Sequence, residues 1–213
     1  MGSNNHQNFY LTLPMKVRNV KLKKLSATQA VKFYKIWYGL LSYVNKNKRI
    51  CSEAQDDLDK LNYLTNDVSL IHSIRNYLWE HPKLITSYIK AAGDELSEHE
   101  RNVLTDWQKY HIKGRFAILK NIAKYTVFMR FDENKETILY GVTGALNPVS
   151  NIFPAEKLPA LVDAVLLPFD GIITYDTYIE SYPLSYGAGM VSAFDKFYTE
   201  ERQKRGITES LPR

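Results

Sequence analysis

Three aspartates in the C-terminal half of the sequence are the residues best spaced for chemistry. Asp163, Asp170 and Asp176 lie in the stretch LVDAVLLPFDGIITYDTY, residues 161–178. If the chain turns at residues 169–171, Asp163 and Asp176 face each other across two strands, and facing carboxylates can hold a divalent ion or share a proton. Two of the aspartates also have a structural explanation, since Asp170 suits a turn and Asp163 can begin a strand. The spacing matches no catalytic motif, so the sequence favours a non-enzymatic protein.

The other residue types that carry chemistry form no recognisable pattern. The sequence contains one cysteine, Cys51, and five histidines that are scattered along the chain. Nucleophilic catalysis needs a nucleophile beside a base, and a zinc site usually needs several histidines or cysteines at short spacing. We therefore assign no catalytic residue, no metal ligand and no cofactor from the sequence. Because the sequence has a single cysteine, it cannot form an intrachain disulfide. The absence of disulfides is typical of a cytoplasmic protein.

The charge distribution is the strongest functional signal. The first 52 residues contain ten lysines and arginines and no acid, and all 23 aspartates and glutamates follow, beginning at Glu53. Such a basic segment attracts nucleic acid, anionic lipid or an acidic protein surface. The alternative is that it packs against the acids of the same chain. The residues predicted to contact nucleic acid or an acidic partner are Lys16, Arg18, Lys21, Lys23, Lys24, Lys32 and Lys35.

The sequence predicts an α+β fold in three parts. Residues 1–25 form a basic arm, residues 26–113 a helical region, and residues 114–213 a mostly antiparallel sheet of about five strands covered by a C-terminal helix. A capping box at Ser26 begins the first helix. Helices followed by strands are typical of α+β proteins and not of doubly wound sheets. We expect an open covered sheet in preference to a small barrel, because the strands within residues 161–178 look apolar on both faces.

The first and last helices each carry an apolar stripe. In the first helix, Phe33, Trp37 and Leu40 recur at helical spacing, and Tyr34 and Tyr38 widen the stripe. Aromatic side chains beside lysines can stack on nucleic-acid bases. Helical periodicity more often marks a buried face, so we interpret this stripe as core. In the last helix, the residues expected to face inward are Met190, Phe194, Phe197 and Tyr198.

Three segments, GRFAILKNIAKYTVFM, LYGVTGAL and LLPFDGIITYD, resemble a group of bacterial proteins that has no established activity. In this group a helical N-terminal part precedes a C-terminal segment with an LLPF-x-x-x-IIYD-like signature. The matching residues here are 166–176, with Thr174 where a hydrophobic residue is usual. The resemblance covers the C-terminal half. It implies a bacterial cytoplasmic protein, and it carries over no functional residue.

These observations lead us to expect a binding protein that contacts nucleic acid through the basic N-terminal region. The alternative is a protein-interaction or assembly module, in which that region docks on an acidic surface and the segment Phe9 to Pro14 is exchanged within a homo-oligomer. A metal-dependent hydrolase that uses the three aspartates is the third class. The segment MGSNNHQNFYLTLPMK lacks the pattern of a secretory signal,. No apolar run reaches the roughly 18–20 residues that span a bilayer, so we expect a cytoplasmic protein without membrane contact.

Overall fold

The computed structural model describes residues 24–59, 68–131 and 136–212. Most of the predicted basic arm lies outside these ranges, including Lys16, Arg18, Lys21 and Lys23. Within the ranges, helices precede a five-stranded, mostly antiparallel sheet, and one helix follows it. The predicted α+β class and order of elements are therefore confirmed.

The helical region consists of α1 (Ala27–Lys48), α2 (Gln55–Asp59), α3 (Val68–Glu80), α4 (Lys83–Ala92) and α5 (Glu98–Tyr110). The predicted capping box begins α1, because the Ser26 hydroxyl accepts from the Gln29 amide and the Gln29 side chain accepts from Ser26 N–H,. The helix ends where Arg49 takes a left-handed φ of 51°. Helix α4 starts directly after Pro82, since proline prefers the first turn of a helix,.

Helix α1 is the centre of the helical core. Its aromatic stripe is buried as predicted, with Phe33, Trp37 and Leu40 fully inaccessible to solvent. The ring of Trp37 lies 6.0 Å from that of Trp79 in α3 and 6.0 Å from that of Trp107 in α5. These are the three tryptophans of the sequence. Their large buried area therefore holds α1, α3 and α5 together.

The strands are β1 (Ile112–Asn121), β2 (Thr126–Phe131), β3 (Thr137–Val142), β4 (Ala160–Phe169) and β5 (Ile172–Ser181). They close into a barrel in the order β1-β2-β3-β5-β4. The pairs are antiparallel except for β3 with β5, which are parallel. The preference for an open sheet was therefore wrong. Strand β4 is apolar on both faces because one face lines the barrel and the other packs on the helices.

The predicted pair of strands with an Asp-Gly connection is confirmed. Asp170 and Gly171 form the turn between β4 and β5, with φ values of 48° and 79°. Two consecutive left-handed residues make the tight hairpin turn whose twist matches that of the strands. Glycine adopts this conformation without steric cost, and aspartate tolerates it.

Two helical layers cover the barrel from outside. Val165, Leu167 and Phe169 of β4 belong to the same core as α1, α3 and α5. Helix α6 (Ala188–Lys204) covers the outer face of β1, β2 and β3, where Tyr198 is buried and Phe194 packs beside it. The prediction that Met190 and Phe197 face inward was wrong, because Met190 is 50% exposed and Phe197 is 39% exposed.

In the described ranges, no helix has the combination of length and apolar character that crossing a membrane requires.

Glu100 links the start of α5 to α1 and gives a pH-dependent prediction. Its carboxylate accepts from Ser97 N–H at 2.7 Å and lies 2.8 Å from Lys35 Nζ. Burial alone would raise the pKa of Glu100, but hydrogen bonds from Lys35 and Ser97 outweigh it and lower this pKa to about 2. A lowered carboxyl pKa stabilises the fold above the ordinary value of 4.5, and the stabilisation is lost as the pH falls towards 2,.

We expect Glu100→Gln to lower the free energy of unfolding by about 1 kcal/mol at neutral pH, because it removes the ion pair and weakens the cap. The difference from the wild type should shrink as the pH falls from 4.5 towards 2. Urea unfolding at several pH values measures the free energy of unfolding of the variant and of the wild type. The control is Glu98→Gln, which changes an exposed carboxylate in the same turn. A difference that stays constant down to the lowest pH contradicts the prediction.

Candidate functional site

Three of the predicted contact bases lie in the described part of the chain, around the start of α1. Lys24 is exposed, and its main chain forms a parallel bridge with Gly144. Lys32 is exposed in the second turn of α1. Lys35 lies 2.8 Å from Glu100 and is neutralised by it. Lys24 and Lys32 are therefore the predicted bases that have no ion pair with any described residue.

The acids that follow the basic region make other contacts. Asp59 accepts hydrogen bonds from Ser42 Oγ at 2.5 Å and from Gln55 Nε2 at 2.8 Å. Glu53 accepts from the thiol of Cys51 at 3.3 Å. Among the acids of this segment whose side chains the structure describes, Glu53, Asp56 and Asp59, none forms an ion pair with α1. Asp59 therefore contacts α1 through the neutral donor Ser42 and not through a lysine.

The three aspartates do not come together. Asp163 on β4 lies 2.9 Å from Arg115 Nε on β1, and Asp170 in the turn lies 2.8 Å from Nε2 of His99. Asp176 on β5 is completely buried and contacts α3 instead. The proposed approach of Asp163 to Asp176 was therefore wrong. Among the described residues, no group of three or more histidines, cysteines, aspartates or glutamates could hold a metal ion.

A bulge in β5 increases this separation. Regular pairing is interrupted between two pairs, Ala164 with Ile179 and Leu166 with Tyr175. Residues 176–178 therefore face a single residue of β4, and Asp163 lies opposite Glu180. Thr177 has a φ of 73°, which is rare and costly for a β-branched residue,. The bulge places Asp176 against α3 at the expense of local backbone strain.

Arg75 of α3 and Asp176 form a buried ion pair. Arg75 Nε donates to Asp176 Oδ2 at 2.6 Å, and Nη2 donates to Oδ1 at 3.1 Å. Trp79 Nε1 donates to the same carboxylate at 2.5 Å. Complete burial raises the pKa of Asp176, whereas the charge and hydrogen bonds of Arg75 and the Trp79 N–H oppose the rise. A two-pronged arginine contact of this kind fixes both the distance and the orientation of its partner.

A layer of polar and aromatic groups surrounds the guanidinium. Arg75 Nη1 donates to Asn76 Oδ1 at 2.8 Å, and Asn76 Nδ2 lies 3.1 Å from Nε2 of His72. The Tyr178 ring lies 4.3 Å from the His72 ring and 5.1 Å from the Arg75 guanidinium carbon. The Asn76 amide nitrogen can only donate, so Nε2 of His72 accepts in this contact,. Arginine, histidine and tyrosine thus form one connected surface.

Two cavities lie beside Arg75. The smaller has a volume of about 140 Å³ and is lined by Tyr34, Tyr38, Ile71, His72, Arg75, Thr177 and Tyr178. The larger has a volume of about 390 Å³ and includes Lys113, Arg115, Asp163 and Glu180 in its lining. The smaller cavity combines aromatic faces with hydrogen-bond donors, whereas the larger one combines charges of both signs.

Sequence reasoning missed Arg75 and Trp79 altogether. Arg75 and Asp176 are 101 residues apart, so no local spacing connects them. Two weak signals were present. Arg75 directly follows Ile74 on the apolar side of α3, and Asp176 interrupts the apolar strand β5. A charged residue at an apolar position usually needs a buried partner, but the sequence does not identify it.

Comparison of the chain with protein-family models, with curated proteins and with solved structures finds no match. The resemblance of the C-terminal half to a bacterial group therefore stays a prediction. Function has to be argued from charge and geometry.

We expect Asp176→Ala to lower the free energy of unfolding by about 3–5 kcal/mol, because it leaves Arg75 buried without its counter-charge. Chemical denaturation followed by tryptophan fluorescence measures the change. Asp163→Ala is the matched control, since it removes an aspartate that also binds an arginine at two points, on the same hairpin but exposed. Asp163→Ala should lower the free energy of unfolding by much less, because exposed ion pairs contribute little. Equal losses contradict the buried-pair account.

The strain at Thr177 gives a second prediction. Thr177→Gly should be more stable than Thr177→Ala by about 1 kcal/mol, because glycine adopts a positive φ freely and alanine does not. Both substitutions remove the hydroxyl and the γ-methyl group, so the two variants differ only in the Cβ that alanine keeps and in the backbone freedom that follows from it. Thermal unfolding of the two variants measures it. If alanine is as stable as glycine, residue 177 does not have the left-handed conformation.

Proposed function

We propose that the protein is a non-enzymatic bacterial cytoplasmic binding protein that contacts nucleic acid through its basic N-terminal region. The observation that carries the proposal is the run of ten bases before the first acid, Glu53. Lys24 and Lys32 are exposed and have no ion pair with a described residue. Asp59 and Gln55 contact the neutral Ser42 of α1 and not its lysines. Exposed lysines bind phosphates and release the counterions around them.

The strand order of the barrel supports the same class of ligand. The order β1-β2-β3-β5-β4 with β3 parallel to β5 is that of the five-stranded Greek-key barrels that bind oligonucleotides or oligosaccharides,. Such barrels use the outer face of strands 2 and 3, which Phe194 and Tyr198 of α6 cover here. A topology supports a class of ligand and does not fix a function. Because α6 covers that face here, we assign the phosphate contacts to the basic region.

One contact favours a second candidate function. Lys35 already pairs with Glu100, which is the behaviour expected of a basic region that docks on an acidic protein surface. In this candidate the protein is an interaction or assembly module. It forms an oligomer or a complex with an acidic protein and binds nucleic acid weakly or not at all. Light scattering, together with the binding measurement below, separates the two candidates.

We expect the protein to bind a labelled single strand of about 12 nucleotides, with an affinity that falls linearly on a double-logarithmic plot against salt. The double variant Lys24→Gln/Lys32→Gln should weaken binding and reduce the salt slope by about 1–2, because each phosphate contact contributes roughly one released counterion. The control is Lys83→Gln/Lys90→Gln, which removes the same charge from exposed positions of α4. Fluorescence anisotropy at several salt concentrations measures both.

No binding at low salt, or binding that is independent of salt, contradicts the proposal. An equal loss in the α4 control variant also contradicts it, because net charge and not the N-terminal region would then carry the attraction. Absence of binding combined with an oligomer in light scattering favours the interaction module.

A further inference from the structure

We propose that the cleft between α5, the β4–β5 turn and the C-terminal tail, residues 206–212, is a docking site for the basic segment of the same chain, residues 16–23. The bases that dock in the cleft are then withheld from phosphates, so the cleft and a nucleic acid compete for them. The docking is a contact within the chain, whereas the competition rests on the proposed function. The inference adds a binding site and a way to regulate the basic region.

The cleft is large enough for several side chains. Its volume is about 340 Å³, and sites for organic ligands start at about 300 Å³,. The β4–β5 turn forms one wall, and Ser210 and Leu211 of the tail form another. The third wall is one face of α5, where lining residues recur at the three- and four-residue steps of a helix: His99, Asn102, Val103 and Asp106,. The cleft can therefore receive side chains from a short extended segment.

The charges of the cleft and of the segment are opposite. Asp106 and Asp170 line the cleft, and its described lining contains no lysine or arginine. Asp106 is half-buried and has no ion pair with a described residue, and Asp170 pairs with the imidazole of His99 at 2.8 Å. Residues 16–23 contain four bases and no acid. Complementary charge of this kind selects a partner and fixes its register.

The floor of the cleft is apolar and suits the same segment. Val103, Phe169 and Leu211 line it, and each of them is at most 6% exposed. Residues 16–23 have three aliphatic side chains between their four bases. A lysine or arginine can also lay its methylene stem on apolar surface while its charged group reaches a carboxylate at the rim. The segment therefore matches the cleft in polarity as well as in charge.

The described chain begins close to the cleft. The main chain of Lys24 bridges Gly144, and the neighbouring Thr143 N–H donates to Ile173 O at 2.8 Å. Ile172, which precedes Ile173, lines the cleft. Paired strands lie about 4.8 Å apart and consecutive Cα atoms 3.8 Å apart, so these steps place Lys24 within about 18 Å of Ile172. Eight extended residues span up to about 26 Å, so residues 16–23 can reach the cleft.

A contact of the same kind already exists beside the cleft. Lys35 of the basic region lies 2.8 Å from Glu100 in the first turn of α5, and Glu100 directly follows His99. The Phe33 ring of α1 lies 5.3 Å from that of Phe169, which in turn lies 6.3 Å from the His99 ring. The proposed docking therefore continues an interface between the basic region and α5.

The first experiment is carbodiimide cross-linking of the full chain, which joins lysine amines to carboxylates that they contact. Proteolysis and mass spectrometry should find links from Lys21 or Lys23 to Asp106 or Asp170. A mixture of unlabelled and isotope-labelled protein distinguishes links within a chain from links between chains. Adding a single strand of about 12 nucleotides should reduce these links. The link between Lys120 and Asp195, whose charged atoms are 3.0 Å apart, is the internal standard and should not change.

The second experiment measures nucleic-acid binding. We expect Asp106→Asn/Asp170→Asn to tighten the binding of the labelled strand roughly fivefold, because the cleft then no longer competes for the bases. Asparagine tolerates the left-handed conformation that residue 170 adopts,. The matched control is Glu156→Gln/Glu180→Gln, which removes the same charge at exposed positions outside the cleft. The control should change the affinity much less.

The outcomes separate the docking from the proposed function. No link between residues 16–23 and the cleft, with the standard link present, overturns the docking and leaves the proposed function intact. Links that form only between two chains also overturn it. Equal tightening in both variants, or links that the strand does not reduce, overturn the competition. Links to the cleft without any nucleic-acid binding overturn the proposed function and the competition, and support the docking. If the aspartate variant does not fold, cross-linking of the wild type with and without the strand still gives one of these results.

Discussion

The buried ion pair between Arg75 and Asp176 is the contact on which the arrangement of this protein depends. Removing two charges from water costs several kcal/mol per ion unless each is fully hydrogen-bonded. Here the carboxylate receives donors from Arg75 and Trp79, and Asn76 accepts from the guanidinium. The bulge of β5, with its left-handed Thr177, brings the carboxylate to α3. The pair therefore sets the position of the helices on the barrel, and it also builds the wall of the aromatic cavity.

The remaining surfaces follow from how the barrel is covered. One side of the barrel, at β4, packs into the helical core, and α6 covers the outer face of β1 to β3. The strand faces on which barrels of this order commonly bind ligands are thus used for packing. What stays exposed is the start of α1, with Lys24 and Lys32.

Local signals in the sequence were sufficient for the elements but not for their long-range contacts. The Ser26 capping box and the Asp170-Gly171 turn were predictable, because each depends on neighbouring residues. Barrel closure was not, since β1 and β4 pair across distant parts of the chain and an apolar strand suits either arrangement. Equal spacing wrongly brought Asp163 to Asp176. The two-residue turn at Asp170-Gly171 already places Asp163 opposite residue 178, and the bulge moves the pairing on to Glu180. The basic region was visible as charge, whereas the pairing of Lys35 with Glu100 depends on the fold.

The most direct test of this account is to map the binding surface by NMR with isotope-labelled protein and a homothymidine strand. The account expects the shifts to centre on the start of α1, around Lys24 and Lys32, and to shrink as salt is added. Shifts confined to α6, or to the β4–β5 turn at Asp170, would contradict the account.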